Sequence, residues 1–106
     1  MELFKDVRAT GVFSAEKMSK ANVFDTERMF CDVYYFEPGQ EQKAHAHDGS
    51  DKVYYVLDGV GEFSVGSEQQ EVGASTAILA PAGMAHGVRN PGPGRLRLLV
   101  FMAPKP

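Results

Sequence analysis

The chain has 106 residues, of which 43% are hydrophobic, enough for one domain with an ordinary globular core and too few for a second. Eleven basic and fourteen acidic side chains give a net charge of −3, which argues against a general nucleic-acid binder. No apolar run approaches the ~20 residues of a membrane span, and the first residues lack a signal-peptide layout. Cys31 is the only cysteine, which excludes a disulfide framework and a cysteine-based zinc site. We therefore expect a soluble, cytoplasmic protein without nucleic-acid or membrane partners.

The N-terminal segment, residues 1–25, has the least definite pattern. Residues 14–21 are the only helical candidate, with Ser14 as a possible cap, although the following Asn22-Val23-Phe24 favours an extended chain. Residues 2–12 are a candidate strand for pairing with a second copy, because small barrels often pair their exposed edges. A homodimer is the expected assembly.

The rest of the chain is predicted to be strands separated by turns. Residues 28–37 are aromatic and apolar around one internal charge, Asp32, which could support a metal-binding histidine but is more simply an outward-facing charge. Alternation places Leu96, Leu98, Val100 and Met102 on one face of the last run. Many short strands with dense turns predict an all-β sandwich or small barrel. The predicted strands are 28–37, 53–57, 60–65, 68–72, 76–80 and 96–102.

The three histidines form the strongest chemical signal. His45 and His47 are two residues apart, so in a strand both imidazoles lie on one face. Neutral imidazole is the commonest transition-metal ligand in proteins, and a third ligand must come from elsewhere. His86 is the only other histidine, and a β-barrel can bring distant strands face to face. Exposed histidines on an edge strand are the alternative interpretation.

Two motifs around these histidines resemble those of the cupin superfamily. The first runs over residues 39–59: Gly39, five residues, His45-Ala46-His47, four residues, Lys52, six residues and Gly59. The second, over residues 75–90, contains Pro81-Ala82-Gly83, two residues, His86, three residues and Asn90. Together the motifs cover about half of the chain.

This resemblance implies an antiparallel jelly-roll β-barrel, also called a double-stranded β-helix, with residues 1–106 as a single cupin domain. It also implies a divalent transition metal (Fe, Mn, Ni or Zn), held inside the barrel by three histidines and usually a glutamate. Carried over position by position, the histidine ligands are His45, His47 and His86.

The chain departs from the cupin pattern at two positions. Lys52 stands where the family has glutamate, and a protonated lysine cannot bind a metal. Three possibilities follow: a three-histidine site completed by water, a bulge near Gly49-Ser50 that turns Asp51 inward as a ligand, or an anion site without metal. At the second departure, Ser75 replaces the glycine that usually opens motif two.

Several apolar residues are candidates for a pocket wall around the metal, although such side chains more often belong to the core. These candidates are Tyr34, Phe36, Tyr54, Met84, Phe101 and Met102. We interpret Cys31 as a buried core residue.

The resemblance favours a metal-dependent enzyme, of dioxygenase or isomerase type, that acts on a small organic molecule. In that hypothesis Lys52 is an electrostatic partner for a substrate carboxylate or enolate. A non-enzymatic module that binds a metal or metabolite is one alternative, and a structural barrel with adventitious metal is another. Unrelated reactions share this fold, so the family alone does not determine the chemistry.

Overall fold

The computed structural model describes residues 1–106 as nine strands and one short 3-10 helix, Val7–Ala9. All six predicted strands are confirmed, with ends that differ by at most two residues, and the structure adds three more. The strands are β1 Ser19–Asp25, β2 Phe30–Phe36, β3 Glu41–His45, β4 Asp51–Asp58, β5 Val60–Val65, β6 Glu68–Gly73, β7 Ala77–Ala80, β8 His86–Arg89 and β9 Leu96–Ala103.

The strands form two antiparallel sheets that pack face to face. The first has the order β1-β2-β9-β4-β7 and the second the order β3-β8-β5-β6. Neighbouring strands are therefore mostly distant in sequence, as in a jelly roll. The predicted all-β jelly-roll fold is confirmed.

The main core lies between the two sheets. Leu96, Leu98, Val100 and Met102 of β9 are all buried, as alternation predicts, and β4 contributes Tyr54 and Val56 to the same interior. Phe63 and Val88 from the second sheet pack against them. Their aromatic and branched side chains fill the space between the sheets and fix which face of each strand points inward.

The outer face of the first sheet carries a second, smaller cluster. Cys31, Val33 and Tyr35 of β2 lie there with Val23 of β1, and Val7 and Phe13 from the N-terminal segment cover them. Cys31 is buried as predicted, and burial, together with the charge of Asp32, raises the pKa of its thiol to about 11.

The N-terminal segment contains the 3-10 helix and β1 and no α-helix. Residues 14–21 form no helix; β1 begins at Ser19, because pairing with β2 supplies the backbone hydrogen bonds that a helix would have made. In this single chain residues 2–12 contain no strand and include the 3-10 helix, which Asp6 caps by accepting a hydrogen bond from the amide of Arg8. Their pairing with a second copy stays a prediction. No helix in the structure combines the length and the apolar character that crossing a membrane requires.

Two turn positions explain features of the motifs. Gly59 has a φ of +88°, and a Cβ there would collide with the carbonyl oxygen of Arg95, so only glycine fits the turn between β4 and β5. Ser75 has a φ of +69° and is the only non-glycine residue with positive φ. The glycine usual at that place in cupins is therefore the residue that its backbone conformation favours.

Candidate metal centre

The three histidines converge at one end of the space between the sheets. One ligand nitrogen from each ring lies within 4.8 Å of the other two. The ring centroids of His45 and His86 are 4.5 Å apart, those of His45 and His47 4.9 Å, and those of His47 and His86 5.5 Å. His86 is buried, whereas His45 and His47 are half-buried, so the group opens to solvent on the side of the latter two.

Strand pairing brings the rings together. His45, the last residue of β3, pairs directly with His86, the first residue of β8. His47 lies beyond the end of β3, and the carbonyl oxygen of His47 accepts a hydrogen bond from the amide of Gly83 in the loop before His86. The two motifs are thus joined by main-chain contacts on both sides of the histidines.

The hydrogen bonds of the rings select the nitrogen that is free to bind a metal. His45 Nδ1 lies 2.8 Å from the carbonyl oxygen of Lys43, and His86 Nδ1 lies 3.0 Å from that of Met84. A carbonyl only accepts, so each Nδ1 carries the proton and each Nε2 keeps a lone pair. His86 Nε2 is buried and has no hydrogen-bond partner in the protein. A divalent transition metal fits this donor set.

Two of the imidazoles are held in the neutral form that metals bind. Burial lowers the pKa of His86 most strongly, and Lys52 and the other two histidines lower it further. The pKa of His47 is also lowered, first by burial and then by the charges of His45, Lys52 and Lys20.

Lys52 points into the interior, on the same face of β4 as Tyr54 and Val56. Its side chain is only 2% exposed. Nζ donates a hydrogen bond to Gln42 Oε1 at 3.3 Å and lies 5.2 Å from the ring centroid of Tyr34 and 4.9 Å from that of Tyr54. Burial lowers the pKa of Lys52 to about 8, helped by the charge of Lys20.

The structure does not bring Asp51 to the histidines. Asp51 pairs with Ala103 at the start of β4 and lies on the opposite face from Lys52. Its exposed carboxylate accepts a hydrogen bond from the amide of Ala82 at 2.9 Å. No bulge turns it inward, so the expectation of an Asp51 ligand is wrong for this geometry.

The predicted wall residues separate into three groups. Tyr54 borders the site, with its ring centroid 6.1 Å from that of His86, and Tyr34 and Met102 are buried near Lys52. Phe36 pairs with Leu96 at the other end of β9 and belongs to the core. Met84 and Phe101 are partly exposed: Met84 packs beside Gly66 at the rim, and Phe101 faces outward.

Two residues near the site differ from expectation or were missed. Asp32 lies on the inward face of β2 with Tyr34, so the prediction of an outward charge is wrong; Asn22 Nδ2 donates to its carboxylate at 3.0 Å. Gln42 was not predicted, because strict alternation puts it on the face opposite His45. A register shift between Gln42 and His45 brings both to the interior, and no local sequence signal marks it.

Four cavities lie away from the histidines. One of about 190 Å³ is lined by Phe63, Val65, Val72 and Ile78 together with residues of β6 and β7. None of the four is lined by His45, His47 or His86.

Comparisons with known proteins agree with this architecture. The chain is 47% identical to TT1209 of Thermus thermophilus, whose crystal structure superposes with a TM-score of 0.94 over 97% of this chain and 98% of that one. A Klebsiella pneumoniae protein with a double-stranded β-helix domain, 24% identical, shares the fold with a TM-score of 0.90 over 98% and 91% of the two chains. The oxalate-binding protein of Thermotoga maritima is 27% identical over 88 residues, which are 83% of this chain and 72% of that protein.

The family comparison covers most of the jelly roll. The model of the cupin domain matches residues 32–102, a stretch that contains both motifs, all three histidines and Lys52. The chain therefore belongs to the cupin family.

Proposed function

We propose that the protein binds a divalent transition metal through His45, His47 and His86 and uses it to bind and convert a small organic molecule. The observation that carries this proposal is the buried Nε2 of His86, which has no partner in the protein and belongs to a group of three converging imidazoles. Leaving such an acceptor unsatisfied is costly, and a metal would satisfy it.

The residues of the chain have separate tasks in this proposal. The carbonyl oxygens of Lys43 and Met84 hold the rings of His45 and His86 with Nε2 free. Tyr54 and the buried core exclude water from the inner side, while the half-buried His45 and His47 leave the outer side accessible to a ligand. A bound divalent metal with only three protein ligands would supply a Lewis acid with open positions for the ligand.

A metal-dependent enzyme of dioxygenase or isomerase type is our first hypothesis for the chemistry. Ligand binding without turnover is the second, and the similarity to the oxalate-binding protein of Thermotoga maritima favours it specifically. The homodimer and the cytoplasmic location stay predictions.

Metal content tests the proposal directly. Protein purified without a histidine tag and dialysed is expected to retain or take up one equivalent of Fe, Mn, Ni or Zn, measured by elemental analysis and by the rise in thermal midpoint on metal addition. His86→Ala should lose both effects. Asp51→Asn is the matched control, because it keeps the acceptor for Ala82 and should bind metal like the wild type. Equal metal uptake by wild type and His86→Ala would exclude the site.

Turnover distinguishes the two hypotheses about chemistry. Metal-loaded protein is incubated with a panel of small organic acids while oxygen consumption and the proton NMR spectra are followed. An enzyme consumes oxygen or isomerises a substrate, and His47→Ala abolishes the reaction. Tight binding of oxalate with no conversion supports the binding module instead.

A further inference from the structure

Lys52 is a buried cation without a protein counter-ion. It is one of the few charged or polar side chains that are almost completely buried, and none of the five ion pairs in the molecule includes it. Its single hydrogen bond goes to the neutral amide oxygen of Gln42. A buried charge is costly unless another charge compensates it.

Neighbouring groups do not provide that compensation. Burial raises the pKa of Tyr34 to about 12 and raises the pKa of Tyr54 still more, so both hydroxyls stay neutral. The charge of Asp32 acts on Lys52 more weakly than the opposing charge of Lys20. No acidic side chain forms an ion pair with the ammonium.

The charge of the ammonium also acts on the imidazoles, since it lowers the pKa of His47 and of His86. The ring of Tyr54 neighbours both Lys52 Nζ, at 4.9 Å from the centroid, and His86, at 6.1 Å between centroids. Gln42, which binds Nζ, lies three residues before His45 in β3. Tyr54 and Gln42 thus connect Lys52 to the histidine group.

The charges of the metal, the imidazoles and Lys52 add up to an excess of positive charge. Three neutral imidazoles add no negative charge to a divalent metal, and Lys52 adds one more positive charge. Where a carboxylate ligand would offset the metal, this chain has a cation. A ligand with two negative charges removes most of the excess, whereas a neutral ligand removes none.

Building on the proposed metal centre, we infer that Lys52 makes this site selective for small organic dianions, and that the ligand or substrate is a dicarboxylate. One carboxylate of the dianion binds at the metal held by the three imidazoles. The positive charge of Lys52 compensates the second negative charge. The packed interior around Tyr34, Tyr54 and Met102 limits the dianion to a few carbon atoms. Lys52 is thus a specificity-determining residue of the centre.

Calorimetric titration of the metal-saturated protein tests the inference with three probes: malonate, acetate and the uncharged malonamide. Malonate should bind more tightly than acetate, and malonamide should bind weakest. Lys52→Met should weaken malonate binding about ten- to hundredfold, as expected for a lost charged partner, and should affect malonamide little. Lys20→Met is the matched control, because this exposed lysine lies 5.0 Å from the ring centroid of Tyr34, and it should change malonate binding less than about threefold.

A second variant leaves Lys52 in place. Gln42→Glu puts a carboxylate where an amide oxygen now accepts from Nζ at 3.3 Å, so it neutralises the ammonium within the fold. Malonate affinity should fall as in Lys52→Met. Unchanged malonate affinity in both variants would overturn the inference.

The same titrations separate this inference from the proposed metal centre. If metal binds but malonate binds equally to wild type and Lys52→Met, the selectivity is wrong and the metal centre stands. If no metal binds but malonate binds the metal-free wild type in a Lys52-dependent way, the metal centre is wrong and the anion site stands.

Discussion

Gln42 Oε1 and Lys52 Nζ, 3.3 Å apart, form a polar contact that crosses the interior from one sheet to the other. Gln42 belongs to β3 of the four-stranded sheet and Lys52 to β4 of the five-stranded sheet. Tyr54 of β4 also donates to Gln42 Oε1, at 3.4 Å. The site is thus supported by one amide oxygen that receives two donors from the facing sheet, on the strand that carries His45.

The buried ammonium predicts a stability effect that depends on pH. Burial lowers the pKa of Lys52 to about 8 from a normal value of 10.5, which corresponds to roughly 3 kcal/mol of destabilisation when the group is charged. We expect Lys52→Met to unfold at higher urea concentration than the wild type at pH 7, with a gain of up to that size.

The sign of the pH dependence follows from proton binding. Below about pH 8 both folded and unfolded chains hold the proton, so the full cost applies. Between about pH 8 and 10.5 only the unfolded chain holds it, so wild-type stability rises relative to the variant and the difference shrinks. Urea titrations at pH 7, 8, 9 and 10 measure this; both proteins share Cys31, whose opposite contribution cancels in the difference. A difference that stays constant with pH would contradict the prediction.

Lys52→Glu should increase metal affinity. The change replaces a repelling cation by a carboxylate beside the three imidazoles, and the charge reversal should strengthen binding by about tenfold or more. Competition with a chromophoric chelator measures the dissociation constant. Lys20→Glu makes the same charge reversal at an exposed position and should have a much smaller effect, since solvent screens it. An identical gain in both variants would show that the charge at position 52 has no special access to the site.

Ser75→Gly should stabilise the protein by about 0.5–1 kcal/mol. The φ of +69° is strained for serine, while glycine adopts it freely, and the higher entropy of unfolded glycine offsets part of the gain. Ser67→Gly is the matched control: Ser67 is also an exposed turn residue but has no positive φ, so this variant should lose stability. Thermal and urea unfolding of the two variants give opposite signs if the strain at Ser75 is real.

Asn90→Ala should destabilise the protein by about 2–4 kcal/mol. The buried side chain donates to the carbonyl oxygens of Phe36 and Gly94 and accepts from the amide of Gly92, so its loss leaves buried backbone groups unpaired. Asn22→Ala, at an exposed position, should cost less than about 1 kcal/mol. Equal losses in urea unfolding would show that Asn90 is an ordinary turn residue.

Local sequence patterns determined the positions of the strands, which side chains share a face and the identity of the three histidines. Alternating side chains and turn residues located the strands, because the period of two along a strand depends only on neighbouring residues. The same rule puts Lys52 on one face of its strand with Tyr54 and Val56, and Asp51 on the other, as in the structure. The double motif identified the histidines.

Only the tertiary structure decided which polar side chains surround them. Gln42 reaches the interior through a register shift. Asp32 faces inward because both faces of β2 are covered, so neither face of this strand is reserved for polar residues. Both depend on how one strand lies against another, far away in the chain. The pairing of strands depends on contacts throughout the fold, so it cannot be read from the sequence of a single strand.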